Sequence, residues 1–416
     1  MKKLVIIGVN CITAKYLPNA LRAAGYEPVF ILDIEAYSGE SRKALEDCAH
    51  YPADIEESSA VLSVLAENPG ILAGAYAITS FYDDKFPLVA AIADAHGLRH
   101  PGPAAVRLAS KAEVMRLVPE YSPHGLIFRS GDLARLDVSA FARLTSGLVL
   151  KPGMVSGGGG VTRWEPGEVS QSALRAAIAT SGLPDAAEQT WILQERIKGR
   201  LVSLEGFAQD GVATFLCFSL RGRIGTTEVS DLLPADDRLT REVRQRCRQA
   251  VRALIERSRF RNGYFHCEFI ITDDSAHLID ANMGRIGGAT YAEQIALAHG
   301  FQPGEILRHS VLLPLDRAAA GSPPVLRAPG EIRSAVAFFY GLEKGGTVRS
   351  IALPADLRGI HTQFARFGVP VPPIGTSDAS WVGMLTGFAD EAEHDMRGIG
   401  IETDDGVVVP YYVSEE

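Results

Sequence analysis

A chain of 416 residues is too long for one compact core, and about 150 residues per domain gives two or three domains. With 46% hydrophobic and 22% charged residues and its glycines and prolines spread along the chain, disordered, collagenous and low-complexity classes are excluded. Lys and Arg number 41 against 50 Asp and Glu, a net charge of −9; no basic run is present, so neither nucleic acid nor an anionic membrane is an expected partner. The five cysteines form no C-x-x-C pair, which argues against a disulfide framework and a thiolate zinc site. The apolar run Leu4–Val9 stops at Asn10, too early for a secretory segment, and no run approaches about 18 apolar residues. The expectation is a protein of the reducing cytoplasm.

The elements follow in chain order. Residues 4–9 predict a buried strand, 13–24 a helix closed by Gly25, and 28–33 a second strand, together a βαβ unit. A helix over 59–67, a strand over 74–79 and a helix over 86–95 continue the pattern, so residues 1–105 predict a parallel-sheet domain of Rossmann-like type. A helix-rich stretch spans 104–118. After a short strand at 148–150 comes the loop Ser156-Gly157-Gly158-Gly159-Gly160, and then strands at 190–196, 203–209 and 213–220. A helix at 241–258 precedes a hairpin of 264–272 with 277–282 across Asp273-Asp274. The tail predicts strands at 333–340, 346–352 and 398–403 and a helix at 389–396. This divides the chain into 1–105, an α+β block at 106–325 (lobes 106–197 and 198–325) and a smaller domain at 326–416.

Three patterns carry chemistry. Backbone N–H groups of a glycine loop converge on an anion; Ser156 adds a hydroxyl, and Lys151, at the end of the preceding strand, adds a point charge. The alternative is a flexible surface loop, and no Walker Gly-Lys-Ser/Thr follows. In the hairpin, Asp280 and Asn282 share a strand face with Glu268 able to oppose them. Two carboxylates and an amide oxygen suit Mg²⁺ completed by nucleotide phosphates, whereas the plain reading is a solvated strand face. Arg285 and Gly287-Gly288 just beyond offer a planar cation and open amides to a phosphoryl group or a carboxylate. Finally, Gln194-Glu195-Arg196-Ile197 between two strands has the form of an adenine-binding hinge, or of a plain inter-strand connection. Lys111 alone reads as a surface lysine, and His266 as a strand-packing histidine.

In order along the chain, the βαβ start, Lys111, Lys151 with its glycine loop, Gln194–Ile197, Glu268, Asp280-Ala281-Asn282 and Arg285-x-Gly287-Gly288 resemble the ATP-grasp superfamily of carboxylate-amine ligases over residues 1–320. The resemblance implies ATP held between two α+β lobes, with Lys111 and Lys151 on the phosphates and Ser156, Gly157, Gly158 and Gly159 covering them. It further implies Gln194, Glu195 and Ile197 on adenine, Glu205 at the ribose, Glu268, Asp280 and Asn282 on Mg²⁺ (or Mn²⁺), and Arg285 on an acylphosphate. Relatives usually carry Glu where Asp280 stands, an acid just after the position of Gly199, and one residue fewer between Asn282 and Arg285. The Arg285–Gly288 run and the glycine-punctuated tail resemble the L-amino acid ligase branch. That branch implies an amino acid or other carboxylate and an amine as substrates, Arg223, Glu228, Gly287 and Gly288 lining their pocket, ADP and phosphate as products, a role in dipeptide or secondary-metabolite synthesis, and a homodimer. Two other readings stand beside it: a carboxyphosphate-type carboxylase of the same fold, and an ATP-binding module without turnover. A dinucleotide enzyme with Asp33 on the ribose is disfavoured, because Gly8-Val9-Asn10-Cys11-Ile12-Thr13 lacks the second and third glycines of that fingerprint.

Overall fold

The computed structural model describes residues 1–137, 146–154, 159–183, 186, 188–225, 227–288, 290–323, 326–327 and 331–413. The first sheet is parallel, in the order β3-β2-β1-β4, from β1 (Lys2–Ile7), β2 (Tyr26–Ile31), β3 (Ala49–Tyr51) and β4 (Ala75–Ser80). Leu4 to Ile7 are fully buried on both faces, as a strand covered by crossover helices must be. Asn10 starts the helix Cys11–Ala23 by accepting the Thr13 N–H at 2.8 Å, an N-cap.

A second, antiparallel sheet joins β5 (Gly125–Arg129), β6 (Leu148–Pro152), β7 (Thr162–Trp164) and β8 (Thr190–Glu195) in the order β5-β8-β6-β7. The helix Gln171–Ala179 closes it over a core of its own, centred on Leu150, Leu174, Trp191 and Leu193. The large sheet is built on β9 (Arg200–Gln209), β10 (Val212–Ile224), β11 (Thr227–Leu233), β12 (Gly263–Ile271) and β13 (Ala276–Met283). The last part of the chain supplies β14 (Ala335–Tyr340), β15 (Gly346–Ala352), β16 (Ile360–Gln363), β17 (Pro370–Val371), β18 (Gly383–Phe388), β19 (Gly400–Thr403) and β20 (Gly406–Val408).

The large sheet runs β13-β12-β9-β10-β11-β14-β18-β16. The tail therefore does not stand apart, because β14 pairs with β11 and carries the sheet across position 326; only β17-β15-β19-β20 form a separate small sheet. The stretch 104–118 is two short helices, Pro103–Leu108 and Lys111–Leu117, parted where Ser110 caps the second. The helices Tyr291–His299 and Pro303–Leu315 escape sequence reading because eight of nine and eight of thirteen positions are buried, which blurs any amphipathic period. No helix among the described residues is long and apolar enough to cross a membrane.

Candidate functional site

The β12–β13 hairpin sets Glu268 opposite Asp280 and His266 opposite Asn282, and β9 sets Ser203 and Glu205 beside Glu268 and His266. Opposed residues of paired strands share a face, so the three expected magnesium ligands lie together on one side of the large sheet. Two lysines come to β13 from outside that sheet. Lys111, first residue of its helix, places Nζ 2.6 Å from Asp280 Oδ2, and its N–H donates to the Gly153 carbonyl at 2.8 Å. Lys151, on β6, donates to the Ile279 carbonyl at 2.7 Å. Asp280 Oδ1 accepts the Ala281 N–H at 2.9 Å. Lys111 is thus not the surface lysine its local sequence implies; it is half-buried against a carboxylate.

The two lysines differ electrostatically. Burial disfavours the charge on Lys111, but Asp280, Asp83 and Glu268 outweigh it and raise its pKa above the ordinary lysine value. Burial dominates at Lys151: Asp280 and Glu268 offset it only in part, Lys111 adds repulsion, and the pKa drops to about 8. Burial likewise works against Glu268, yet Arg221 and His266 hold its carboxyl well below the usual range. His266, between Glu205 and Glu268, keeps its proton against burial to about 9. Among the described residues no three His, Cys, Asp or Glu side chains are grouped to hold a metal ion; Glu268, Asp280 and the buried amide of Asn282 are what the chain offers.

Arg285 lies beyond β13, after Gly284, whose φ of 109° turns the chain and whose Cα packs so near Phe86 that an added Cβ would come within 2.9 Å of its ring. Arg285 Nε then donates to Asp83 Oδ1 at 2.8 Å, so the first domain supplies a buried carboxylate to the site. No sequence signal points to Asp83, since the pair is 202 residues apart.

The structure gives four of the expected positions particular surroundings. Arg223 is exposed, while Arg221, on the same strand face, bonds both Glu228 and Glu268 with its side chain only 10% exposed; strand parity alone could not choose between two arginines two residues apart. Glu205 is fully buried, its oxygens taken by His266 and, at 3.3 Å, by the Gly287 N–H, which leaves it no face toward a ribose. Gly287 packs where a Cβ would lie 2.6 Å from His266 Nδ1 and from the Tyr291 ring, whereas Gly288 is open; of the two glycines, Gly288 alone leaves room at its Cα for a ligand.

At the hinge, Gln194 is buried on β8, the Glu195 N–H donates to the His124 carbonyl at 2.8 Å and Ile197 is half-buried. Gly159 is exposed in a turn. Ser156, Gly157 and Gly158 lie outside the described residues.

Comparison with known proteins bears on the fold. Residues 144–293 match the family model of the ATP-grasp domain. No curated protein sequence matches the chain. Among solved structures, an L-amino acid ligase from Bacillus licheniformis superposes with a TM-score of 0.68 at 19% identity, over 100% of this chain and 99% of its own. A phosphoribosylglycinamide synthetase from Anaerococcus prevotii gives 0.66 at 15% identity over 96% and 99%. A biotin carboxylase from Campylobacter jejuni gives 0.68 at 14% identity over 98% and 93%. Residues 144–293 therefore match the ATP-grasp domain, and the chain as a whole shares the fold of these ATP-grasp structures.

Proposed function

We propose that the chain is an ATP-dependent carboxylate-amine ligase, which activates an amino acid or other small carboxylate as its acylphosphate and transfers the acyl group to an amine. The observation that carries this reading is Lys151, a half-buried ammonium whose one hydrogen bond among the described residues is to a backbone carbonyl and whose charge burial disfavours. A cation so placed calls for an anion. Lys111 beside it and the Glu268–Asp280 face opposite are what a nucleotide polyphosphate with its divalent ion requires.

Glu268, Asp280 and Asn282 would hold Mg²⁺, or Mn²⁺ in its place, which supplies charge neutralisation across the phosphates when bound. The protein's own share is position and charge. Lys111 and Lys151 orient the phosphates, and the hinge Gln194–Ile197 receives the base. The substrate carboxylate oxygen attacks the γ-phosphorus, the bond to the β-phosphate oxygen breaks, and ADP leaves. Arg285, steadied by Asp83, neutralises the resulting acylphosphate. The amine then adds to the acyl carbon and expels phosphate, losing one proton as the amide forms. The Arg221–Glu228 pair lies on the same face, where it would meet amino and carboxylate groups of the substrates, with Arg223 at its outer edge. The full-length likeness to an L-amino acid ligase, at both chains' whole extent, supports amino acids as the substrate class and gives the tail a place in the same enzyme.

The test is ADP and phosphate release with Mg·ATP across single amino acids and pairs, with mass spectrometry of the products. Release only for particular pairs, with a product mass equal to their sum minus water, is the expected result. Release that follows bicarbonate alone would replace the ligase with a carboxyphosphate enzyme, and tight ATP binding with no release for any carboxylate would leave a binding module. Arg285→Ala should abolish the pair-dependent release.

A further inference from the structure

The helix Arg241–Ser258 buries one side in the core of the large sheet and turns four arginines outward. Arg241, Arg244, Arg248 and Arg252 line, with Gln245, a groove of about 380 Å³. Successive arginines stand three or four residues apart, so each faces a like charge on the helix surface, an arrangement that disfavours the helix. Arg241 and Arg244 also sit in its first turns, where the positive end of the helix dipole repels cations. Of the four, Arg248 has an acidic partner, Asp236 at 2.9 Å, and Arg252 lies 5.1 Å over the Phe215 ring. The side chains of Arg241 and Arg244 have no ion pair or hydrogen bond among the described residues. The nearby acids Asp237 and Glu242 do not line the groove. In a chain of net charge −9, three like-charge neighbours stand in a row on one face, which marks a surface kept for something other than stability.

We propose that this groove binds a compact, multiply phosphorylated anion. Guanidinium groups match phosphate oxygens with paired N–H donors, and eleven residues of helix set the four of them along roughly 16 Å, the scale of a short polyphosphate chain or a nucleoside polyphosphate. An acidic protein surface or a membrane would need apolar anchors around the charges, and none of the large exposed apolar side chains lies on this helix. Nucleic acid would meet repulsion from the remaining acidic surface and find no exposed aromatic ring on the helix for stacking. The site is on the outer face of the helix, while the phosphate-binding lysines lie on the opposite side of the sheet core, so the inference stands whether or not the ligase reading does.

Isothermal titration with inorganic tripolyphosphate tests it, on the full chain and on two groups of variants. Binding should persist in Lys151→Met, which alters the nucleotide site, and should weaken about tenfold or more in Arg244→Glu/Arg252→Glu, since hydrogen bonds to charged groups are lost. Affinity should fall with added salt, while basal ADP release by Arg244→Glu/Arg252→Glu stays as in the parent. Arg241→Gln/Arg244→Gln, which removes charge without reversing it, serves if the first pair fails to fold by circular dichroism. Competition by nucleoside triphosphates would make nucleotides the source; tripolyphosphate binding that they leave untouched would make it the free phosphate chain. No binding, or equal binding by parent and both pairs, would overturn the proposal. So would poly-L-glutamate or duplex DNA binding at this helix without tripolyphosphate.

Discussion

Asp83 is where the first domain enters the site, and its carboxylate fixes the one arginine expected to meet the acylphosphate. Both side chains are buried, at 5% and 14% exposure, so removing the acid leaves a desolvated charge unpaired. Asp83→Ala should cost about 3 kcal/mol of stability and, on the proposed function, lower kcat at least about tenfold while the KM for ATP moves little, because the proposed nucleotide contacts lie elsewhere. Asp83→Asn keeps an oxygen acceptor for Arg285 Nε and should fall between. An unchanged kcat in Asp83→Ala would mean that Arg285 is held for packing alone. Lys151 gives a pH test with a definite sign. Its pKa of about 8 lies below the ordinary lysine value, so the free protein loses this charge as pH rises through 8, and bound phosphates should restore it. ATP affinity should therefore weaken above pH 8, and ATP binding at pH 8.5 should take up protons, read by calorimetry in buffers of different ionisation enthalpy. Lys151→Met should remove the uptake.

Gly284 decides whether the β12–β13 hairpin delivers Arg285 to its place. At φ 109°, with Phe86 2.9 Å and Ala105 3.1 Å from any Cβ, Gly284→Ala adds backbone strain of about 1–2 kcal/mol and a clash of similar size. Urea unfolding should show the loss, and activity should fall further than stability accounts for, since the residue shifted next is Arg285. The hairpin itself was legible: alternation over 264–272 and 277–282 and the Asp273-Asp274 turn place it within a residue or two, and period 2 puts Glu268, Asp280 and Asn282 on one face. The parallel sheet and its capped first helix were legible for the same reason, a clear local period with clear breaks. What local pattern could not give was partnership across domains. Asp83 and Arg285 are 202 residues apart, Lys111 looks like any helix-start lysine until Asp280 is folded against it, and the choice of Arg221 over Arg223 needed the β10–β11 pairing. The basic face of the helix Arg241–Ser258 escaped because its arginines are interleaved with apolar residues and form no run.

At the scale of the whole chain, cores and not sequence boundaries define what unfolds together. One buried cluster contains Leu4 and Phe30 of the first sheet, Phe207, Tyr264 and Ile295 of the large sheet and its helices, and Phe339 and Met384 of the tail. The four-stranded sheet β5-β8-β6-β7 keeps a separate core. The first sheet, the large sheet and the tail should therefore melt in one calorimetric transition, while hydrogen exchange should show the β5–β8 sheet opening at lower free energy, since its core is separate and smaller. Excised residues 106–325 should not fold, having lost both flanks of the shared core. Asp316, after the helix Pro303–Leu315, pins the first domain to this body: a single oxygen accepts from Lys2 at 2.6 Å and from Tyr26 and Tyr76 at 2.7 Å each. Those bonds hold its carboxyl well below the ordinary aspartate range. A carboxylate lowered in the folded state stabilises above its unfolded pKa of about 3.9, and that stabilisation is lost as pH falls toward the folded value. The parent should lose stability below about pH 4 more steeply than Asp316→Asn, which gives up the charge at every pH. Denaturant midpoints measured from pH 6 down to pH 2.5 decide it: parallel curves for the two proteins would show that the three-donor joint contributes no linked stability, and converging curves that it does.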